Sequence, residues 1–344
     1  MKTYNTTIPY SALDLATVAQ GQTAADAFRN SMNLARNAEK FGYTRYWFAE
    51  HHNMPGVASS ATSILIGHIA GGTSTIRVGS GGIMLPNHAP LLIAEQFGTL
   101  ASLYPGRIDL GLGRAPGTDQ LTAKAIRGHN FEAEHNFIAD LEMLQYLFSA
   151  DNSTGKVRAI PGEGLDIPMW ILGSSTDSAI VAASMGLPYS FASHFAPAQF
   201  LTAIRLYRQR FVPSAHLQQP YVLACVNVVA ADTDEEAQFL FTSVKQLFSG
   251  IITGRRQQLQ PPVAPADNRW SPEVEAAMEQ MLTYAFVGSP TSLERQLKSF
   301  LQQTGINEIM ATSYIYNLES RIRSYKIFSE VMKQIMVEMR DVSL

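Results

Sequence analysis

The 344-residue sequence has a formal charge of −3, with 46% hydrophobic residues, 16% charged residues and a single cysteine. Its basic residues are dispersed, which excludes the basic stripe of a nucleic-acid-binding surface; one cysteine excludes an intrachain disulfide framework and a Cys-rich metal site. The start, "MKTYNTTIPYSALDLA", lacks the apolar core of a signal peptide, and no run approaches the roughly 20 apolar residues that span a bilayer. A soluble, cytoplasmic protein acting on a small molecule is therefore expected.

In chain order, short apolar runs alternate with longer amphipathic ones. Ser11–Ala16 reads as a first strand, and Ala24–Gly42 as a helix stopped by glycine. Arg45–Ala49 is the second strand, followed by a helix over Ser59–Thr73. Ile76–Gly82 is the third strand, followed by a helix over Pro90–Gly106 that starts on proline. Arg107–Gly113 is the fourth strand, and a mixed, mainly helical stretch runs on to Phe148. Met169–Ser175 is the fifth strand, with its helix over Asp177–Pro188. Tyr189–Phe195 is the sixth, followed by a helix over Pro197–Phe211. Tyr221–Ala231 is the seventh, and the Thr233–Ile252 helix after it has an acidic first turn. Asn307–Ser313 is the eighth, and Leu318–Met339 the last helix. Cys225, within the seventh strand, reads as a small buried hydrophobe.

Sustained alternation of strand and helix implies a parallel sheet. Eight units favour closure into an α/β fold of the (β/α)8 TIM-barrel type, a single domain over residues 1–344, with an open doubly wound sheet as the alternative. Two insertions in βα loops interrupt the rhythm, at Ala115–Ile167 and Thr253–Asn268. The second, "TGRRQQLQPPVAPADN", is polar and proline-rich, and fits either a surface excursion or a lid over the barrel mouth.

Barrel active sites lie where strands end and βα loops begin, so the residues just past each run carry the chemistry. Glu50, His51 and His52 follow the second strand. Neighbouring side chains on an extended chain point to opposite faces, so one of the two histidines faces the mouth and the other packs outward. "EHH" lacks the HExxH spacing, and no metal site is expected. A histidine at the mouth fits either an acid or base near neutrality or a structural hydrogen bond.

"GSSTDS" (Gly173–Ser178) opens a helix whose N–H groups and dipole favour an anion. Alone it reads better as simple N-capping by serine; with Arg114 at the adjacent strand end, a phosphate is the better reading. Gly81 and Gly82, at the end of the third strand, suit either tight packing or a flat ligand against the backbone. "GLGRAPG" has the wrong spacing for a dinucleotide loop, so no such fold is expected.

Taken together, "YWFAEHHNM", "VGSGGIMLPNHAPLLIAEQFGTLASLYPGRIDLGLGRAPGTD" and "WILGSSTDSA" resemble the bacterial luciferase-like flavin monooxygenases, in order from about Ser11 to Phe328. The resemblance implies a barrel that binds reduced FMN at its C-terminal mouth and uses O2 to oxygenate a small organic substrate through a flavin hydroperoxide. It implies a non-prolyl cis peptide at Gly81–Gly82 beside the flavin ring. It places the FMN phosphate on Arg114, Gly173, Ser174, Ser175 and Ser178, and makes His51 the catalytic base. Glu50, Asn87, His88 and His194 are candidates to face the substrate. A separate NAD(P)H-dependent flavin reductase and a homodimer are implied as partners. Gly113 stands where luciferase itself has a cysteine, so light emission is not expected. A deazaflavin-dependent dehydrogenase on the same fold and a non-catalytic flavin-binding protein are the competing functions.

Overall fold

The computed structural model describes residues 7–131, 135–264 and 270–343. Positions 132–134 of the first insertion and 265–268 of the second lie outside the described residues.

The strand–helix alternation closes on itself. In order, the elements are β1 (Tyr10–Asp14), α1 (Ala24–Phe41), β2 (Arg45–Phe48), α2 (Thr62–Gly72), β3 (Arg77–Ser80), β4 (Ile83–Met84), α3 (Pro90–Leu103) and β5 (Ile108–Gly113). The first insertion carries α4 (Gln120–Arg127) and α5 (Phe137–Phe148). Then come β6 (Met169–Gly173), α6 (Thr176–Ser184), β7 (Tyr189–Phe191), α7 (Phe200–Arg210), β8 (Val222–Ala230) and α8 (Asp234–Ile252). The chain ends with α9 (Pro272–Met281), β9 (Ala285–Gly288), α10 (Pro290–Thr304), β10 (Glu308–Thr312) and α11 (Leu318–Ser343). Every pairing between these strands is parallel, and β10 closes the barrel by pairing with both β1 (Ile309↔Tyr10) and β8 (Met310↔Cys225). This is the (β/α)8 barrel, and the open-sheet alternative falls.

Local chemistry sets the ends of the elements. Thr23 and Asp26 form a reciprocal capping box that starts α1, and Gly42, at φ +86°, stops it. Side chains alternate along the strands: Ala12, Tyr46, Phe48, Ala224 and Val226 pack outward under the helices. Leu13, Trp47, Leu223, Cys225 and Met310 belong to a second apolar cluster that fills the barrel. Cys225 is buried and free, as the sequence suggested, and burial pushes its thiol pKa up.

Two departures from the sequence reading follow from tertiary pairing. The third run is not one strand to Gly82. It stops at Ser80, passes a cis Gly81–Gly82 peptide, and resumes as β4, which pairs with β5 through Ile83↔Leu112. Between α8 and β10 the structure adds α9, β9 and α10, which the eight-unit count omitted; β9 pairs with Asn227–Ala230 of β8, of which Asn227 also pairs with β10.

A buried ionic floor closes the N-terminal end of the barrel. Arg45 pairs with Asp109 at 2.8 Å and Glu308 at 2.8 Å, and Arg77 joins Asp109 at 2.6 Å. The Arg45 guanidinium also lies over the Trp170 ring, 4.7 Å from its centroid. Each of the four charged residues is the first or second residue of its strand, so this end is sealed and the opposite end is the mouth. None of the described helices is long and apolar enough to cross a membrane.

Candidate active site

Alternation sorts the three ionisable residues past β2. Glu50 and His52 turn away from the mouth, toward the loop after β4. The Nε2–H groups of His52 and His88 each donate to Glu50 Oε1 at 2.9 Å, and the Met84 N–H donates to Oε2 at 3.1 Å. A carboxylate only accepts, so both of these nitrogens carry their protons. Burial alone would raise the Glu50 pKa, but the bonds from His52 and His88, the His88 charge and the Met84 N–H outweigh it and push it down to about 2. Asn87 sits in the same cluster and donates to the Pro116 carbonyl at 2.8 Å. Asn87 and His88, read as substrate candidates, thus hold the β2 and β5 loops together through Glu50 and Pro116.

His51 is on the other face. Its Nδ1–H donates to the Gly117 carbonyl at 3.1 Å. That bond fixes the tautomer: in the neutral ring Nε2 keeps its lone pair. Burial lowers the His51 pKa, the positive Arg256 pushes the same way, and the Gly117 bond opposes them. His51 is therefore an uncharged base at neutral pH. Gly117 takes φ +65°, and a Cβ there would lie 2.8 Å from the Glu50 carbonyl, so this acceptor position suits glycine.

His194, in the turn after β7, is 7% exposed, and its Nδ1 has no hydrogen-bond partner. Burial pushes its pKa down to about 3, with His51 adding to the effect, so this ring too is neutral. The Asn227 side chain holds the turn by donating to the His194 carbonyl at 2.5 Å, and its own Oδ1 lacks a partner.

Arg114 and the α6 tip meet. β5 pairs with β6 up to Gly113↔Leu172, which sets Arg114 beside Gly173 and Ser174. Arg114 reaches Asp177, in the first turn of α6, at 3.2 Å, and both side chains are largely exposed. Ser175 is the N-cap residue, yet its side chain makes no capping bond, unlike Thr23, Asp119 and Thr233. The reading of "GSS" as ordinary serine capping therefore fails at Ser175. Ser178 is turned inward: its hydroxyl donates to the Ser175 carbonyl at 2.8 Å and meets the Tyr189 hydroxyl at 2.9 Å. It braces the tip. A Cβ on Gly173 would lie 1.9 Å from that hydroxyl, so only glycine fits there.

The glycines of the third run are packed as well as placed. A Cβ on Gly81 would meet Leu13 at 2.7 Å, and one on Gly82 would meet the Gly111 carbonyl at 2.8 Å. Tight packing is thus a sufficient reason for both.

The described part of the second insertion is tied to the loop after β1. The Leu259 N–H donates to the Val18 carbonyl at 3.0 Å, and the Gln20 N–H returns a bond to Leu259 at 2.8 Å. Sequence reasoning missed Gly117 and Arg256, on distant loops, and Asn227, within β8, each of which touches or electrically senses the histidines. Among the described residues, no His, Cys, Asp and Glu grouping could hold a metal ion.

Comparison with known proteins places this arrangement. A family model described as luciferase-like monooxygenase matches residues 9–308. The chain is 54% identical over 324 residues to the uncharacterized protein YvbT of Bacillus subtilis (strain 168), covering 94% of this chain and 96% of that one. It is 49% identical over 330 residues to a luciferase-like monooxygenase of Escherichia coli (strain K12), covering 96% and 98%. It is 36% identical over 257 residues to the N-acetyl-S-alkylcysteine monooxygenase of Bacillus subtilis (strain 168), covering 72% and 75%. Among solved structures, apo-MsnO8 superposes with a TM-score of 0.83 at 33% identity, covering 95% of this chain and 98% of that one. Two others share the fold alone. One is the oxygenating constituent of 3,6-diketocamphane monooxygenase from Pseudomonas putida in complex with FMN, at TM-score 0.69 and 16% identity, covering 94% and 97%. The other is an F420-dependent secondary alcohol dehydrogenase, at 0.64 and 11%, covering 94% and 98%.

Proposed function

The chain belongs to the luciferase-like monooxygenase family, and on that premise we propose that it is an FMN-dependent monooxygenase that uses reduced flavin and O2 to oxygenate a small organic substrate. The observation that carries the reading is the meeting of Arg114 with the α6 tip, whose N-cap residue Ser175 makes no side-chain capping bond. That tip, where the Thr176 N–H donates to the Gln199 side chain at 3.0 Å, and that guanidinium fit a phosphate, and Asp177 now holds the guanidinium as an internal anion.

In this reading Arg114 and the backbone of Gly173, Ser174 and Ser175 hold the FMN phosphate. Ser178 shapes that cradle through the Ser175 carbonyl, since its one proton is already donated. Gly81 and Gly82 offer a flat backbone surface to the ring system. Bound reduced FMN supplies two electrons, so that one oxygen atom of O2 enters the substrate and the other leaves as water. His51, held by Gly117, takes or returns a proton at Nε2. His194 presents its free Nδ1, and apolar side chains such as Leu13 and Trp47 exclude water below. Glu50, with His52, His88 and Asn87, positions the loop that carries His51.

FMN is preferred over a deazaflavin because relatives above 30% identity whose names state an activity, the Escherichia coli and Bacillus subtilis proteins above among them, are monooxygenases. The F420-dependent neighbour, at 11%, speaks for the fold only. The described residues form the one barrel, and in this reading a separate NAD(P)H-dependent flavin reductase supplies the reduced flavin. It acts in the cytoplasm as one barrel domain and as a homodimer. Exposed apolar side chains on and near α2–α5, among them Ile64 and Leu92 and, at 83% exposure, Leu121, support self-association.

The test mixes the complex of protein and reduced FMN with O2 and follows hydrogen peroxide by a peroxidase-coupled dye. Slower peroxide release than from free reduced FMN is expected, because the bound oxidising equivalents are retained. Release at the free-flavin rate sinks the reading.

A further inference from the structure

The mouth carries a cation that the flavin reading does not use. Beyond α8 the chain is clamped on the loops after β1 and β2. Leu259 bonds Val18 and Gln20 before α1, and the Gln258 side chain donates to the Gln22 carbonyl at 3.3 Å. Gln257 lies flat on Gly56, where a Cβ would come within 2.7 Å of its carbonyl oxygen. Gly56 belongs to the same loop as His51, and its own carbonyl accepts from Val18 at 2.9 Å. Arg256, next to Gln257, is therefore fixed at the rim beside the base.

The Arg256 side chain has no hydrogen bond or ion pair among the described residues, and its charge is felt at His51. Glu50, the acid nearest in sequence to His51, is not its counter-ion; that carboxylate is buried and shared among His52, His88 and Met84. Across the mouth His194 offers an unpartnered, buried Nδ1. In barrel order β1 and β2, where this segment docks, are separated from β5 and β6 by β3, so Arg256 and the Arg114 tip stand over different strands. An exposed guanidinium with no partner among the described residues, close enough for its charge to act on the neutral His51 ring, is a receptor for an anion that enters from outside.

Resting on the monooxygenase reading, we propose that the substrate is a small organic acid whose carboxylate pairs with Arg256, leaving the remainder of the molecule between His51 and His194. The carboxylate is an anchor and takes no part in the oxygen transfer.

The test uses the full chain and a fixed panel of probes, hexanoate, benzoate and N-acetyl-S-methylcysteine, each against its uncharged amide. Affinities are read by calorimetry in the absence of flavin. The wild type is expected to bind at least one acid roughly tenfold more tightly than its amide. Arg256→Gln should abolish that preference and leave amide affinity unchanged, Arg256→Lys should restore part of it, and Arg255→Gln should keep it. If no acid is preferred by the wild type, or if Arg256→Gln keeps the preference, the proposal is overturned. FMN affinity measured on the same preparations separates the two readings. A protein that prefers acids through Arg256 but does not bind FMN supports this site and refutes the cofactor. One that binds FMN with no acid preference refutes this site alone.

Discussion

Replacing Glu50 by glutamine removes one charge from a saturated, buried cluster without changing its shape. The carboxylate is 1% exposed and accepts from His52, His88 and the Met84 backbone. Its pKa of about 2 in the folded protein compares with 4.5 for a free side chain. A folded value below the unfolded one gives stability that is present above pH 4.5 and lost as the pH falls toward 2. At 1.36 kcal/mol per unit, the linkage amounts to about 3 kcal/mol at pH 6 and falls to about 2 kcal/mol at pH 3.5. Urea unfolding of wild type and Glu50→Gln from pH 6 to pH 3.5 measures the difference at each pH. The wild-type advantage should shrink by about 1 kcal/mol over that range. A difference that stays constant, or grows in acid, refutes the assignment of Glu50 as an ionised hub.

Four further substitutions test separate parts of the account. Asp177→Asn frees Arg114 from its internal anion, and because the pair is exposed, FMN should bind up to about fivefold more tightly in a fluorescence-quenching titration. The ring protons of His51, assigned by comparison with His51→Asn, should titrate below pH 6.5 by NMR. The folded state then keeps the ring neutral where the unfolded chain is charged, so stability rises with pH between the folded value and 6.5. Arg321→Ala strands the buried Asp14 carboxylate, 2.9 Å away, and should cost about 3–5 kcal/mol in urea unfolding. Arg323→Ala, which loses an exposed pair with Asp232, should cost under about 1 kcal/mol.

The barrel strands were legible because each buried run is a short apolar burst between turn residues. β4 was not, since two residues give no period, and neither was β9, whose four residues follow a polar insertion. Strand ends were read too long wherever a tertiary event cuts the ladder: β6 stops at Gly173 because Ser175 starts a helix, and β7 stops at Phe191 ahead of the turn that presents His194. Within the site, strand alternation separated His51 from His52, and adjacent strand ends brought Arg114 to the α6 tip. The local sequence could not show that the Ser178 hydroxyl is taken, because its partner Tyr189 stands on the next strand. Nor could it pair Arg45 with Asp109 and Glu308, or set Arg256 beside His51. Those contacts join residues from 64 to 263 positions apart for the first two, and a distant loop for the last.

The measurement that bears most directly on the central claim is the affinity of Arg114→Ala for FMN and for riboflavin, which differ by the phosphate alone. A guanidinium clasping that group against the α6 tip predicts FMN binding weakened at least about tenfold, with riboflavin binding unchanged. Equal losses for both flavins, or none for either, would contradict a phosphate held at this corner of the barrel.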